Sequence, residues 1–246
     1  MVQNRELLIE LGIVALIAFG WFFVSTNINP QLGNIYSALT VGAIIAVIID
    51  ARYGKKDIKL INKNVSWIKA FMVAIGSYIV LILSIKIATP IAGAIPLTQI
   101  LQSLASSAPV YSNSVFFNIL IFGVLVAYIE SFAIFQALLD LLSSMFGFKI
   151  NKQNLFNPKL ILVIVGISFF FLLLHITTRG ISAESDLIVV FFMGFISLVT
   201  LVWYQEGRIP ILFHILSNSI AAASIFGIVD IGTLTNSIIL TLVGIV

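Results

Sequence analysis

The stretch Leu160-Ile161-Leu162-Val163-Ile164-Val165-Gly166-Ile167-Ser168-Phe169-Phe170-Phe171-Leu172-Leu173-Leu174-His175-Ile176-Thr177 holds no Asp, Glu, Lys or Arg. A helix that crosses the hydrocarbon core of a bilayer needs about 20 mostly apolar residues, and this run meets that need. It is one of several. Hydrophobic residues make up 60% of the 246-residue chain and charged residues only 9%, against about 25% charged in soluble domains. So few charges cannot cover a water-facing surface. The chain reads as an all-α, polytopic transmembrane helical bundle.

Working outward from that stretch, eight segments read as spans: Leu7 to Val24, Ile35 to Ile49, Trp67 to Ala88, Val115 to Leu142, Leu160 to Thr177, Leu187 to Tyr204, Ile211 to Gly227 and Ile231 to Val246. The second and eighth are short. Ser25-Thr26-Asn27 is a poor small-x-small cleavage site, so Leu7 to Val24 reads as a retained first helix. Pro90 to Asn113, with Pro90, Pro96 and Pro109 and no Lys or Arg, reads as a weakly polar connection. No internal repeat or separable soluble domain is visible, and residues 1–246 read as a single integral membrane domain.

Charge sets the orientation. With the N-terminus inside, Arg5, Arg52, Lys55, Lys56, Lys59, Lys63, Lys69, Lys149, Lys152, Lys159 and Arg208 fall on the cytoplasmic side, and only Lys86 and Arg179 on the other. Cytoplasmic loops carry the excess of Lys and Arg, so both ends are expected in the cytoplasm, with a prokaryotic cell membrane as the setting. The net charge of +3 comes from these short loops and does not point to nucleic acid. With no cysteine, disulfides, thiol catalysis and cysteine-ligated metals are excluded.

Against this apolar background four polar residues stand out. Phe213-His214-Ile215-Leu216-Ser217-Asn218 carries one of the two histidines, with His214 and Asn218 one helical turn apart on one face. Ser217, Ala221 and Ala222 extend that small, partly polar stripe. His175 ends the aromatic run quoted above. Glu130 lies near the middle of its segment, on a face with Gly123, Ala127, Ala133 and Ala137. Small residues allow close helix approach, so Glu130 is expected to point into the bundle. A charge at mid-bilayer costs about 2.5–3.5 kcal/mol on insertion scales, which makes such residues candidates for function. Each also has a bland reading: a structural glutamate, an interfacial histidine, an asparagine bonding between helices. The weaker candidates are Gln136 and Asp140, flanking an access toward the cytoplasm; Lys86, snorkelling to the interface; Asn236, a helix-start or packing residue; and Arg179, Glu184 and Asp186, a solvated loop.

A carboxylic acid and an imidazole in a low-dielectric pocket can share and move a proton, which suits general acid–base work. Such a glutamate can activate water, and a histidine with an asparagine amide can stabilise the oxyanion formed on a peptide carbonyl. The same inventory fits a two-histidine, one-carboxylate metal site, although the H-E-x-x-H of zinc peptidases is missing. No cofactor is therefore expected.

The pattern resembles the CPBP family of membrane proteins, the CAAX protease and bacteriocin-processing (Abi) group that includes the type II CAAX prenyl endopeptidases. The E-E-x-x-x-R motif has its counterpart at Glu130-Ser131-Phe132-Ala133-Ile134-Phe135, F-x-x-x-H at Phe171 to His175, and H-x-x-x-N at His214 to Asn218. The likeness covers roughly residues 115 to 227. It implies an eight-helix glutamate-type intramembrane protease with a site facing the cytoplasm. Glu130 would be the base that activates water, His175 its partner, and His214 and Asn218 the oxyanion stabilisers. The implied partner is a membrane-associated or lipidated peptide or protein. Ser131 stands where the second glutamate is usual and Phe135 where the arginine is.

Depth sets a condition on this reading. At about 1.5 Å per residue, Glu130 lies about 18 Å and His175 about 22 Å from the cytoplasmic ends of their helices, while His214 lies only about 6–9 Å beyond Arg208. For the three to meet, the connector Gln205-Glu206-Gly207-Arg208-Ile209-Pro210 must dip into the membrane, which is allowed where it lines a cavity. Two competitors remain: a non-catalytic relative in bacteriocin self-immunity or protein binding, and a small proton-coupled transporter using Glu130 and the histidines as a relay. Substrate choice and oligomeric state are not encoded in any residue pattern.

Overall fold

Six helices follow one another in the computed structural model, which describes residues 58–88, 110, 113–179 and 184–243. They are α1 Trp67–Ala88, α2 Val115–Phe146, α3 Pro158–Arg179, α4 Glu184–Tyr204, α5 Arg208–Ile225 and α6 Ile231–Val243. A short 3₁₀ turn, Lys152–Asn154, lies between α2 and α3. The first five helices are long and apolar enough to cross a membrane, so the described chain is a multi-pass helical bundle. The two earliest predicted spans, and almost all of the Pro90 to Asn113 connection, lie outside the described residues. α6, within the eighth predicted span, is described over 13 residues.

Lipid tails are as apolar as leucine, so what holds such helices together is packing and polar contact between them. α5 is central and packs against α1, α2 and α4, while α3 and α4 pair closely. The largest fully buried side chains include Phe135, Phe171, Phe213, Ile82 and Leu139, drawn from α1, α2, α3 and α5. Outward faces stay apolar, as lipid contact requires, with Ile68, Phe71, Leu120, Leu162, Phe170 and Leu173 exposed. Gly123 of α2 lets α5 approach closely: a Cβ there would fall 2.5 Å from the Ser219 Oγ.

α2 is not uniformly α-helical. Ile119–Val126 and Glu130–Ala137 are π-helical, a geometry that recurs at functional sites. Between them they turn most of the middle of α2 inward, and every residue from Glu130 to Ala137 except Ile134 is buried.

Three loops meet at one end of the bundle. The Gly207 amide donates to the Lys59 carbonyl at 2.9 Å, and the Gln205 Nε2 donates to the Ile150 carbonyl at 2.7 Å. The segments bearing Lys59, Lys63 and Lys69, Lys149, Lys152 and Lys159, and Arg208 therefore share one end, as the charge pattern predicts. At the opposite end of α5, Asp230 opens α6. It accepts from the Thr233 hydroxyl at 2.6 Å and the Gly232 amide at 2.9 Å. The Thr233 hydroxyl, with the Thr233 and Gly232 amides, holds the Asp230 carboxyl below its ordinary range.

Two minor expectations are corrected. Arg179 ends α3, while Glu184 opens α4 and Asp186 lies within it, so helical hydrogen bonding claims residues that read as a solvated loop. Asn236 lies inside α6 and is exposed; it neither starts the helix nor packs in the core, because Asp230 supplies the start.

Candidate functional site

α5 begins inside the bundle. Its first residues Arg208, Ile209 and Pro210 are buried, and so is Glu206 before them. α4 ends because Gln205 takes a left-handed backbone with φ of 50°, while its amide still donates to the Leu201 carbonyl at 2.8 Å. The chain then turns back through Gly207. A Cβ at Gly207 would collide with the Gln136 Oε1 and come within 3.2 Å of the Leu60 Cα, so only glycine fits without displacement. Gln136 lies about 15 Å before the end of α2, counted at about 1.5 Å per residue. The connector thus lies beside the middle of α2, while Gln205 and Gly207 still bond the Ile150 and Lys59 carbonyls.

A buried ion pair fixes the connector in place. The Arg208 Nε donates to the Glu206 Oε1 at 2.6 Å and its Nη2 to Oε2 at 2.9 Å. Nη2 also donates to the Val65 carbonyl at 2.6 Å and the Asn62 carbonyl at 3.3 Å. The guanidinium lies 4.5 Å over the Trp67 ring, and Glu206 Oε2 accepts from the Asn62 amide. The planar fork of arginine suits such two-pronged pairing. Sequence reading placed Glu206 and Arg208 in a tight connector and missed this role. The Glu-x-Arg spacing beside a Gly and a Pro was the available signal.

With the connector held there, His214 meets Glu130. The His214 Nε2 lies 3.2 Å from the Glu130 Oε2, with the imidazole wholly buried. The other ring nitrogen, Nδ1, lies 3.2 Å from the Ser131 Oγ. Two adjacent side chains of α2 thus grip the two nitrogens of one ring. A π turn holds more residues than an α turn, so neighbouring side chains diverge by a smaller angle. This places Glu130 and Ser131 together in front of α5.

His175 stands on α3, buried at 2% exposure. Its Nδ1 lies 2.9 Å from the Phe171 carbonyl one turn earlier. A carbonyl only accepts, so Nδ1 carries the proton and Nε2 is the ring's acceptor. The Phe171 ring packs on His175 at 4.3 Å and on His214 at 5.8 Å between centroids, and Phe135 packs on both Phe171 and His214. The two histidines thus flank one buried aromatic cluster. Asn218 donates from Nδ2 to the Phe122 carbonyl at 3.1 Å, tying α5 to the first π stretch of α2. Gln136 and Asp140 are buried, and no hydrogen bond reaches the Gln136 Oε1 among the described residues.

No family profile, curated protein or solved structure matches this chain.

Among the described residues, no three His, Asp or Glu side chains come together as a metal-binding group. A cavity of about 520 Å³ opens between α1 and α4, lined among others by Val73, Gly76, Ser77, Phe192, Phe195 and Trp203. Glu130, His175, His214 and Asn218 are not among its lining residues. What the site offers chemically is a buried carboxyl and a buried imidazole at proton-transfer distance.

Proposed function

We propose that this chain is an intramembrane endopeptidase of the glutamate type, similar to the CPBP family. It would span the membrane eight times with both termini in the cytoplasm of a prokaryotic cell. The single observation that carries this reading is the 3.2 Å approach of the Glu130 carboxyl to the His214 imidazole. In hydrolysis, Glu130 removes a proton from water as the water oxygen bonds to the scissile carbonyl carbon. The imidazole, with Asn218, stabilises the oxyanion. The tetrahedral intermediate collapses as the amine leaves with the proton Glu130 had taken. His175, across Phe171, supplies the further acceptor nitrogen of the site. The substrate class is a membrane-associated or lipidated peptide approaching from the basic, cytoplasmic end.

A second reading, a non-catalytic relative acting in self-immunity or protein binding, draws on one observation. Asn218 Nδ2 is already bonded to the Phe122 carbonyl, so it must be released before it can serve an oxyanion. The test is cleavage of a fluorogenic, lipidated CAAX-type peptide by purified protein in detergent, with and without a chelator. Cleavage that survives chelation and is lost in His175→Ala and His214→Ala is the expected result. Loss on chelation alone would replace water activation by Glu130 with metal chemistry. Full activity in His214→Ala would remove the pair from the mechanism.

A further inference from the structure

The position where this chain departs from the E-E-x-x-x-R pattern is the one that touches His214. Ser131 is 1% exposed. Its Oγ has two neighbours: the His214 Nδ1 at 3.2 Å and the Pro210 carbonyl oxygen at 3.5 Å. We infer that Ser131 is a positioning residue that holds His214 in its Nδ1-protonated form and leaves Nε2 as the nitrogen that exchanges a proton with Glu130.

The argument is one of donor counting. A carbonyl oxygen only accepts, whereas a hydroxyl has one hydrogen to give and lone pairs to receive. If the hydroxyl gives its hydrogen to Pro210, it faces Nδ1 as an acceptor, and Nδ1 must carry the proton. Pro210 lies one turn before His214 on α5, so its carbonyl points along the helix toward the residue that Ser131 holds. The arrangement works in both charge states of the ring. Neutral, the ring has Nδ1–H on Ser131 and a bare Nε2 facing the protonated Glu130 carboxyl. Charged, it has Nδ1–H on Ser131 and Nε2–H on the Glu130 carboxylate. One proton moves between Oε2 and Nε2, and no other hydrogen bond need change. The carboxylate placed against the ring at ion-pair distance is Glu130. The nearest other charges on α5 and its connector, Arg208 and Glu206, are paired with each other. Phe171 packs on both His175 and this ring. A glutamate in place of Ser131 would set a second carboxylate on Nδ1 and hold the ring charged. Serine leaves the proton free to move. The chemical use of this device rests on the hydrolase reading above; the tautomer itself does not.

The protein has two histidines, so its imidazole nitrogens are few enough to resolve one by one. The experiment is ¹⁵N NMR of histidine-labelled wild-type protein over a pH series, with His175→Gln to assign the signals, repeated on Ser131→Ala and Ser131→Thr. The expected result is a His214 Nδ1 that stays protonated throughout, with the titrating proton on Nε2. Ser131→Ala loses the Nδ1–H preference and shifts toward the Nε2–H form usual for free imidazole side chains, and Ser131→Thr restores it. A wild-type His214 that keeps its proton on Nε2 while Nδ1 is bare overturns the inference without use of any variant. An unchanged tautomer in folded Ser131→Ala overturns it equally. Neither readout needs peptide cleavage, so absence of activity would count against the hydrolase reading and leave this one standing on the spectrum.

Discussion

Glu130→Gln is expected to lower peptide hydrolysis by about 10²–10⁴-fold, the usual contribution of a positioned general base, while the protein still folds. Glutamine keeps the size of the side chain and can hydrogen-bond to the His214 Nε2 that now lies 3.2 Å away. What it cannot do is take a proton from water. The residue is 6% exposed, and glutamine keeps its volume and a hydrogen bond to the neutral ring, so the fold should be retained. Comparing kcat/KM with helical content and thermal unfolding separates the two effects. Wild-type turnover in a folded Glu130→Gln protein would move the chain to the non-catalytic reading, as would self-immunity that persists in that variant.

The largest expected loss of stability lies elsewhere, at Arg208. Arg208→Ala leaves Glu206 as an uncompensated buried carboxylate and strips donors from the Val65 and Asn62 carbonyls. Breaking one partner of a buried ion pair costs about 3–5 kcal/mol. Replacing both partners by apolar residues of similar volume removes the stranded charge, so Glu206→Leu with Arg208→Met should cost less than Arg208→Ala alone. Unfolding of purified protein in detergent measures this. Equal costs for the single and double replacements would show that the pair is not what holds the connector. Activity should fall with Arg208→Ala as well, because the pair fixes the connector before α5 and so the reach of His214.

The helices themselves were legible from sequence because the length of an apolar run is nearly all that a membrane span requires. Trp67–Ala88 has the same bounds in sequence and structure, and α2 to α5 begin or end within a few residues of their predicted limits. The inward face of Glu130 was legible too, through the small residues around it. What sequence did not reveal is how α2 is wound. A π stretch differs from an α-helix in which carbonyl each amide meets, and tertiary packing rather than residue type decides that. For the same reason Ser131, one step along an α-helix from Glu130, read as a lost glutamate rather than as a partner of His214. Glu206 and Arg208 read as connector charges because their burial depends on Asn62, Val65 and Trp67, some 140 residues earlier in the chain. The pairing within the site was only partly legible. The resemblance gave His214 as an oxyanion stabiliser, and its imidazole lies at ion-pair distance from Glu130.

The most direct measurement of the central claim is a double-mutant cycle on peptide cleavage with Glu130→Gln, His214→Ala and the two combined. Residues that act as one unit lose their contribution together. The account predicts that the combined variant is no slower than the worse of the two singles. Losses that multiply, so that each residue contributes independently of the other, would contradict it.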